Sequence, residues 1–130
     1  MALPWGKFEV ILDNENCKVK KITVDPKKRL SYQSHKHRAE VWVVVSGEGK
    51  ITINDEVSTV GVASIVMVPF EVKHRIENTH ATDDLIFIET QLGTYFGEDD
   101  IIRYEDDWGR HRENWTTSYV LGEDEVIADD

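Results

Sequence analysis

Gln33-Ser34-His35-Lys36-His37-Arg38-Ala39-Glu40 is the densest run of metal-ligating and acid-base side chains in the chain. Pro69-Phe70-Glu71-Val72-Lys73-His74, with Asn78 just beyond, adds a separate imidazole. In an extended strand residues two apart share a face, so Gln33, His35 and His37 can point the same way while Glu40 opens the next strand. A later strand can carry His74 to the same spot. Neutral imidazole nitrogens with carboxylate and amide oxygens form a mixed site suited to zinc, iron, manganese, nickel or cobalt, and the donor set does not choose among them. Two neighbouring histidines alone read as a surface strand; Glu40 and the distant His74 turn the reading towards a metal centre.

Outward from this run, apolar and polar residues alternate at Phe8 to Val10, Val19 to Val24, Val41 to Val45, Ile51 to Ile53 and Leu85 to Ile88. That period predicts short strands. Turn formers separate them at Asp13-Asn14, Asp25-Pro26, Ser46-Gly47, Asn54-Asp55, Gly61, Pro69 and Asp83-Asp84, the spacing of an antiparallel sandwich or barrel. The class is all-β. Ile101, Ile102 and Tyr104, set between the acidic runs Glu98 to Asp100 and Glu105 to Asp107, suggest one turn of helix. Trp115 to Leu121 alternates as a further strand, and Glu123 to Asp130 is expected to fray.

A length of 130 residues, 40% hydrophobic and 31% charged, suits one globular domain. With 25 acidic against 15 basic residues, the net charge of −10 repels nucleic acid and anionic membrane surfaces. Cys17 is the only cysteine, which excludes an internal disulfide and a Cys-based zinc site and leaves it a half-buried apolar filler. No apolar run approaches a membrane span and the start has no signal-peptide pattern, so the expected location is cytoplasmic.

The motif spacing resembles that of cupins, whose first motif runs Gly, five residues, His-x-His, three or four residues, Glu, six residues, Gly, and whose second ends in His-x-x-x-Asn. Glu40 and Gly47 have six residues between them, and His74 and Asn78 have three. Counting four residues back from Glu40 sets the His-x-His positions on Gln33 and His35, whereas literal His35-x-His37 leaves only two. This frame implies a cupin double-stranded β-helix, a jelly-roll barrel, over residues 1–110 with a C-terminal extension over 111–130. It also implies the metal ligands Gln33, His35, Glu40 and His74, with His37 beside the ion as an acid, a base or a support for the ligands. Type I mannose-6-phosphate isomerases are known for a similar Gln-His-Glu-His zinc set.

Pro4-Trp5-Gly6, Lys18 to Lys20, Arg29 to Ser31, His37 to Glu40, Trp42 to Gly47 and above all Tyr95 to Arg110 resemble type II mannose-6-phosphate isomerases. These include the C-terminal domain of bifunctional mannose-1-phosphate guanylyltransferases. The likeness departs where Lys27 and Glu71 stand at the two motif glycines, where Ser34 and Lys36 flank His35 in place of Met and His, and where Val41 replaces His. No counterpart of the guanylyltransferase portion is present, so that activity is not expected of this chain.

The resemblance implies interconversion of mannose 6-phosphate and fructose 6-phosphate with one divalent ion per subunit, zinc foremost and cobalt, manganese, nickel or iron as alternatives. His37 is then the candidate base. Arg103, Arg29 and Lys20 are the basic groups for the reacting sugar and its phosphate, Arg103 ranking with His37 among the catalytic candidates and Arg29 and Lys20 among the substrate-binding ones. On the residues alone, Lys20 and Arg38 read as solvated or surface-paired, Arg75 points away from the cavity, the tryptophans fill the core, and both acidic runs face solvent. A homodimer is expected from the barrel edges. Another metal-dependent cupin enzyme, such as a dioxygenase or a sugar-modifying enzyme, and a non-catalytic sugar-binding module are the competing readings.

Overall fold

The computed structural model describes residues 2–108; the expected extension over 111–130, with its strand at Trp115 to Leu121, lies outside the described residues. Every regular element among them is a strand: β1 Ala2–Leu3, β2 Gly6–Asp13, β3 Cys17–Val24, β4 Tyr32–Ser34, β5 Arg38–Ser46, β6 Gly49–Ile53, β7 Glu56–Val60, β8 Ile65–Val68, β9 His74–Glu77, β10 Leu85–Gly93 and β11 Ile102–Glu105. No helix there is long and apolar enough to cross a membrane. The five alternating segments of the sequence lie in β2, β3, β5, β6 and β10. The helical turn expected near Ile102 is instead β11, which pairs antiparallel with β4 and sets Arg103 opposite Gln33. Local sequence there is ambiguous, and the free edge of β4 decides it by supplying ladder partners.

The strands form two antiparallel sheets, ordered β1-β2-β3-β10-β5-β8 and β11-β4-β9-β6-β7. Their inner faces enclose Trp5, Ile22, Val24, Trp42, Val44, Ile76, Leu85 and Phe87, all buried. Burial of such side chains, worth roughly 1.5–3 kcal/mol each, holds the layers together. Gly47, between β5 and β6, sits at φ 86°, and a Cβ there would collide with the carbonyl of Asp84. Only glycine meets both demands cheaply.

Register zones the interior of the larger sheet. Ile22, Phe87 and Val44 face one another across β3, β10 and β5; one pleat on come Lys20, Glu89 and Trp42; one further on come Lys18, Gln91 and Glu40. One end of the barrel is therefore hydrocarbon and the other polar. Across the smaller sheet Arg103, Gln33 and His74 form a matching row.

Candidate metal centre

Gln33 and His74 are directly paired across β4 and β9, His35 follows β4, and Glu40 lies on β5. Ligating atoms of His35, Glu40 and His74 all fall within 4.8 Å of one another. His35 Nε2 is 3.4 Å from one Glu40 oxygen and His74 Nε2 is 3.9 Å from the other. His35 Nδ1 lies 2.7 Å from the Asp100 carbonyl and His74 Nδ1 lies 3.0 Å from that of Val72. A carbonyl only accepts, so each Nδ1 carries a proton and each ring turns its Nε2 towards Glu40. Burial first, and then the Arg38 guanidinium, push the His35 pKa well below its ordinary value. The ring is therefore neutral at neutral pH, as ligation requires.

Gln33 completes the set. Its Nε2 donates to Ser31 Oγ at 2.9 Å, while its Oε1 is buried with no hydrogen-bond partner among the described residues. A buried, unsatisfied amide oxygen costs about 1–3 kcal/mol, a cost that a bound cation removes. Two imidazole nitrogens, one carboxylate and this orphaned oxygen fit a four-ligand divalent ion.

The surroundings hold Glu40 in place. Trp42 Nε1 donates to one of its oxygens at 2.9 Å and Arg38 Nε to the other at 2.9 Å. Burial opposes its charge, yet Arg38, helped by His35 and His74, outweighs burial and lowers its pKa below the usual carboxylate range. Arg38 Nη2 also reaches His35 Nε2 at 3.2 Å, a contact an ion would replace. Glu89 hydrogen-bonds Glu40; burial, and then the Glu40 charge, push its carboxyl up to about 8. Gln91 Nε2 donates to Glu89 at 2.8 Å, and Gln91 Oε1 is buried without a partner among the described residues.

Two expectations for cations are overturned here. Lys20 and Arg38, read as solvated or surface-paired, are 1% and 2% exposed, because inward parity on β3 and β5 directs both into the polar zone. Arg103 is buried beside Gln33. His37 lies outside this group: β4 ends at Ser34 and the backbone bends at Lys36 and His37, so strand parity no longer carries the ring inward. It is exposed and stands edge-on to Tyr95. Arg29 makes a two-pronged pair with Asp107 at 2.8 Å. Its backbone bridges Glu77, three residues along β9 from His74, about 10 Å at strand rise. Arg75 turns to Leu30 O and Glu105, away from the ligands.

The acidic runs face solvent in part, with Asp99, Glu105 and Asp107 exposed, and are also tethered. Asp100 accepts the amide protons of Lys36 and His37 through its two carboxylate oxygens, Glu98 meets Lys18 and Lys20, and Asp107 holds Arg29. Residues 95 to 101 thus form a strap fastened across the end of the barrel that carries the ligands. Trp42, Glu89, Gln91 and Glu98 are site residues that sequence reasoning missed. The available signal was that Glu89 and Gln91 are polar at inward positions of a strand otherwise lined by Leu85 and Phe87.

Residues 1–106 match the family model described as Mannose-6-phosphate isomerase C-terminal. Mannose-1-phosphate guanylyltransferase ManC of Salmonella typhimurium is 45% identical over 107 residues, covering 82% of this chain and 22% of that protein. Xanthan biosynthesis protein XanB of Xanthomonas campestris is also 45% identical over 107 residues, covering 82% and 23%. The chain therefore spans less than a quarter of the length of these relatives. Among solved structures, the cupin domain of Schizosaccharomyces pombe Cnp3 superposes with a TM-score of 0.63 at 14% identity, over 66% of this chain and 63% of that one. A Klebsiella pneumoniae protein with a double-stranded β-helix domain gives 0.65 at 19% identity, over 75% and 77%. At such identities the shared property is the fold. Built on a cupin double-stranded β-helix whose polar end gathers these candidate ligands, the chain belongs to the mannose-6-phosphate isomerase C-terminal family.

Proposed function

We propose that the chain interconverts mannose 6-phosphate and fructose 6-phosphate in a metal-dependent aldose-ketose isomerisation. The observation that carries this reading is the convergence of Gln33, His35, Glu40 and His74 at the polar end of the barrel, in a chain of this family. A divalent ion, zinc foremost, would supply positive charge against the oxygen that becomes anionic in the enediolate. Gln33, His35, Glu40 and His74 would hold it, and Trp42 and Arg38 keep Glu40 ionised and oriented. Arg103, beside Gln33, faces the sugar from the smaller sheet. Lys20 takes part in phosphate binding. Arg29, bound by Asp107 at the surface, is left out of the substrate site.

The reaction removes a proton from C2 of the aldose and returns it to C1, with a second proton passing between the two oxygens; no co-reactant is consumed. Glu89 stands between Lys20 and Trp42 on the inner face of β10 and touches Glu40, which favours it over the exposed His37 as the proton carrier. A coupled assay on mannose 6-phosphate tests both points. Turnover is expected to need zinc, cobalt, manganese or nickel and to vanish on chelation and in Glu40→Gln; turnover surviving either treatment refutes a metal mechanism. Glu89→Gln is expected to lower kcat by about a hundredfold or more, with His37→Asn within a few-fold of the parent, and the reverse pattern assigns the base to His37. Oxygen uptake with ferrous iron would favour a dioxygenase, and sugar-phosphate binding without turnover a binding module.

The homodimer expected from the sequence has a candidate face in the exposed Val43, Val45, Ile65 and Met67 of β5 and β8. Sedimentation of the parent and of a Met67→Lys variant tests it: a dimer that the substitution dissociates supports this face, and a monomeric parent removes it.

A further inference from the structure

Gln91 is wholly buried on the inner face of β10, directly paired with the candidate ligand Glu40 on β5. Nothing in the proposed reaction uses it. Its Nε2 donates to a Glu89 oxygen at 2.8 Å, which turns the carbonyl of the amide away from Glu89. That Oε1 is buried with no hydrogen-bond partner among the described residues. The flanking strands supply no donor. On β3 stands Lys18, whose Nζ is drawn to Glu98 at 3.4 Å; on β5 stands Glu40, an acceptor whose own oxygens take Arg38 Nε and Trp42 Nε1. Leaving a buried carbonyl oxygen without a donor is costly, and folded proteins seldom do it. Gln33 Oε1 is in the same position, and a bound ion would account for it; Gln91 Oε1 calls for a donor.

A polyol supplies one, since a hydroxyl group donates as well as accepts. Partners across an antiparallel pair have Cα atoms about 4.5–5.5 Å apart, so the hydroxyl that meets Gln91 belongs to the end of the substrate beside Glu40, where C1 and C2 react, and not to the phosphate end. The next donor along the carbon chain is the hydroxyl on C3. We infer that Gln91 Oε1 accepts the C3 hydroxyl of a sugar phosphate and thereby sets specificity at that carbon. This rests on the barrel being a sugar-phosphate site. One side chain then serves two ends: its N–H holds Glu89, the proton carrier, and its oxygen holds the carbon next to the pair between which the proton moves. A 3-deoxy sugar leaves the oxygen unpaired, and a site built to pair a hydroxyl rejects a ligand that lacks it.

Mannitol 6-phosphate has no carbonyl and cannot isomerise, which makes it the probe for calorimetric titration of the full chain in the presence of zinc. With carbons numbered as in the sugar, the parent is expected to bind the 3-deoxy form about tenfold more weakly and the 4-deoxy form within a few-fold. Gln91→Met keeps the length of the side chain without the carbonyl, and is expected to bind mannitol 6-phosphate and its 3-deoxy form alike. An equal loss for the 3- and 4-deoxy forms in the parent overturns the inference, as does a 3-deoxy penalty that survives Gln91→Met. In the unmodified chain, which covers the case of a variant that fails to fold, mannitol 6-phosphate is expected to shift the side-chain amide resonances of Gln91 and the 3-deoxy form to leave them in place. Resonances that respond alike to both ligands overturn it. Turnover of mannose 6-phosphate without the 3-deoxy penalty keeps the isomerase and removes the contact; the penalty without turnover by the metal-loaded chain keeps the contact and removes the isomerase.

Discussion

Trp42 donates the hydrogen bond that fixes one oxygen of Glu40 and stacks edge-on against His74 with ring centroids 5.6 Å apart. Removing such support from a ligand commonly costs 10–100-fold in metal affinity. Trp42→Phe keeps most of the ring and loses the donor. A chelator-competition titration is therefore expected to give zinc binding weaker by roughly that factor, with the circular dichroism of the fold retained; unchanged affinity would remove Trp42 from the site. The convergence of Gln33, His35, Glu40 and His74 was legible because the spacing from Gln33 to Glu40 and the separate His74 can be read along the chain. Trp42, Glu89 and Gln91 were not, since their meaning comes from cross-strand register that one strand's sequence does not carry. Lys20 was misjudged for a related reason: a buried cation is costly unless paired, and its partner Glu98 is fixed only by the closed barrel, whereas Arg38 pairs with Glu40 two residues along the same strand and its burial follows from the inward face they share.

Two turns illustrate how an element can keep its shape after losing its usual residue. Lys27 and Glu71, where cupin motifs place glycine, sit at φ 66° and 63°, the left-handed region that costs a side chain about 1–2 kcal/mol. The departure seen in the sequence is thus a change of residue with the turn retained, and Glu71 N still donates to His35 O at 2.7 Å. Lys27→Gly and Glu71→Gly relieve that strain but enlarge the freedom of the unfolded chain by about 0.4–1 kcal/mol. Each is expected to hold or raise Tm by up to a few degrees, and a clear fall in thermal unfolding would contradict left-handed turns at these positions. The segment ending in β11 was legible as family-like yet misread as helical, because its pairing partner lies some seventy residues earlier. Just past it Asp107 is tied to Arg29, whose guanidinium bond lowers the Asp107 pKa. A carboxyl depressed on folding stabilises above its unfolded pKa and ceases to as pH falls through the folded value. Asp107→Asn is therefore expected to cost about 0.2–1 kcal/mol near neutral pH, and to cost nothing once Asp107 is protonated, as read from denaturant midpoints across acid pH.

At the scale of the whole molecule the barrel is divided lengthwise, with Ile22, Phe87 and Val44 at one end and Lys18, Gln91 and Glu40 at the other. The apolar end supplies stability, and the polar end gathers like charges and the orphaned Gln33 oxygen that a bound ion would satisfy. Binding to the folded state alone stabilises by about 2.7 kcal/mol at a hundred times Kd. Zinc is therefore expected to raise Tm by several degrees and a chelator to reverse it, whereas Glu40→Gln should abolish the shift. The all-β class and the positions of β2, β3, β5, β6 and β10 were legible from alternation and turn residues; the division into ends was not, since it exists only once β3, β10 and β5 are in register. The central claim is that Gln33, His35, Glu40 and His74 hold one ion. Anomalous diffraction from crystals of the zinc-loaded chain tests it most directly: a single peak bonded to Gln33 Oε1, His35 Nε2, Glu40 and His74 Nε2 is expected, and a peak elsewhere, or none at this position, would contradict it.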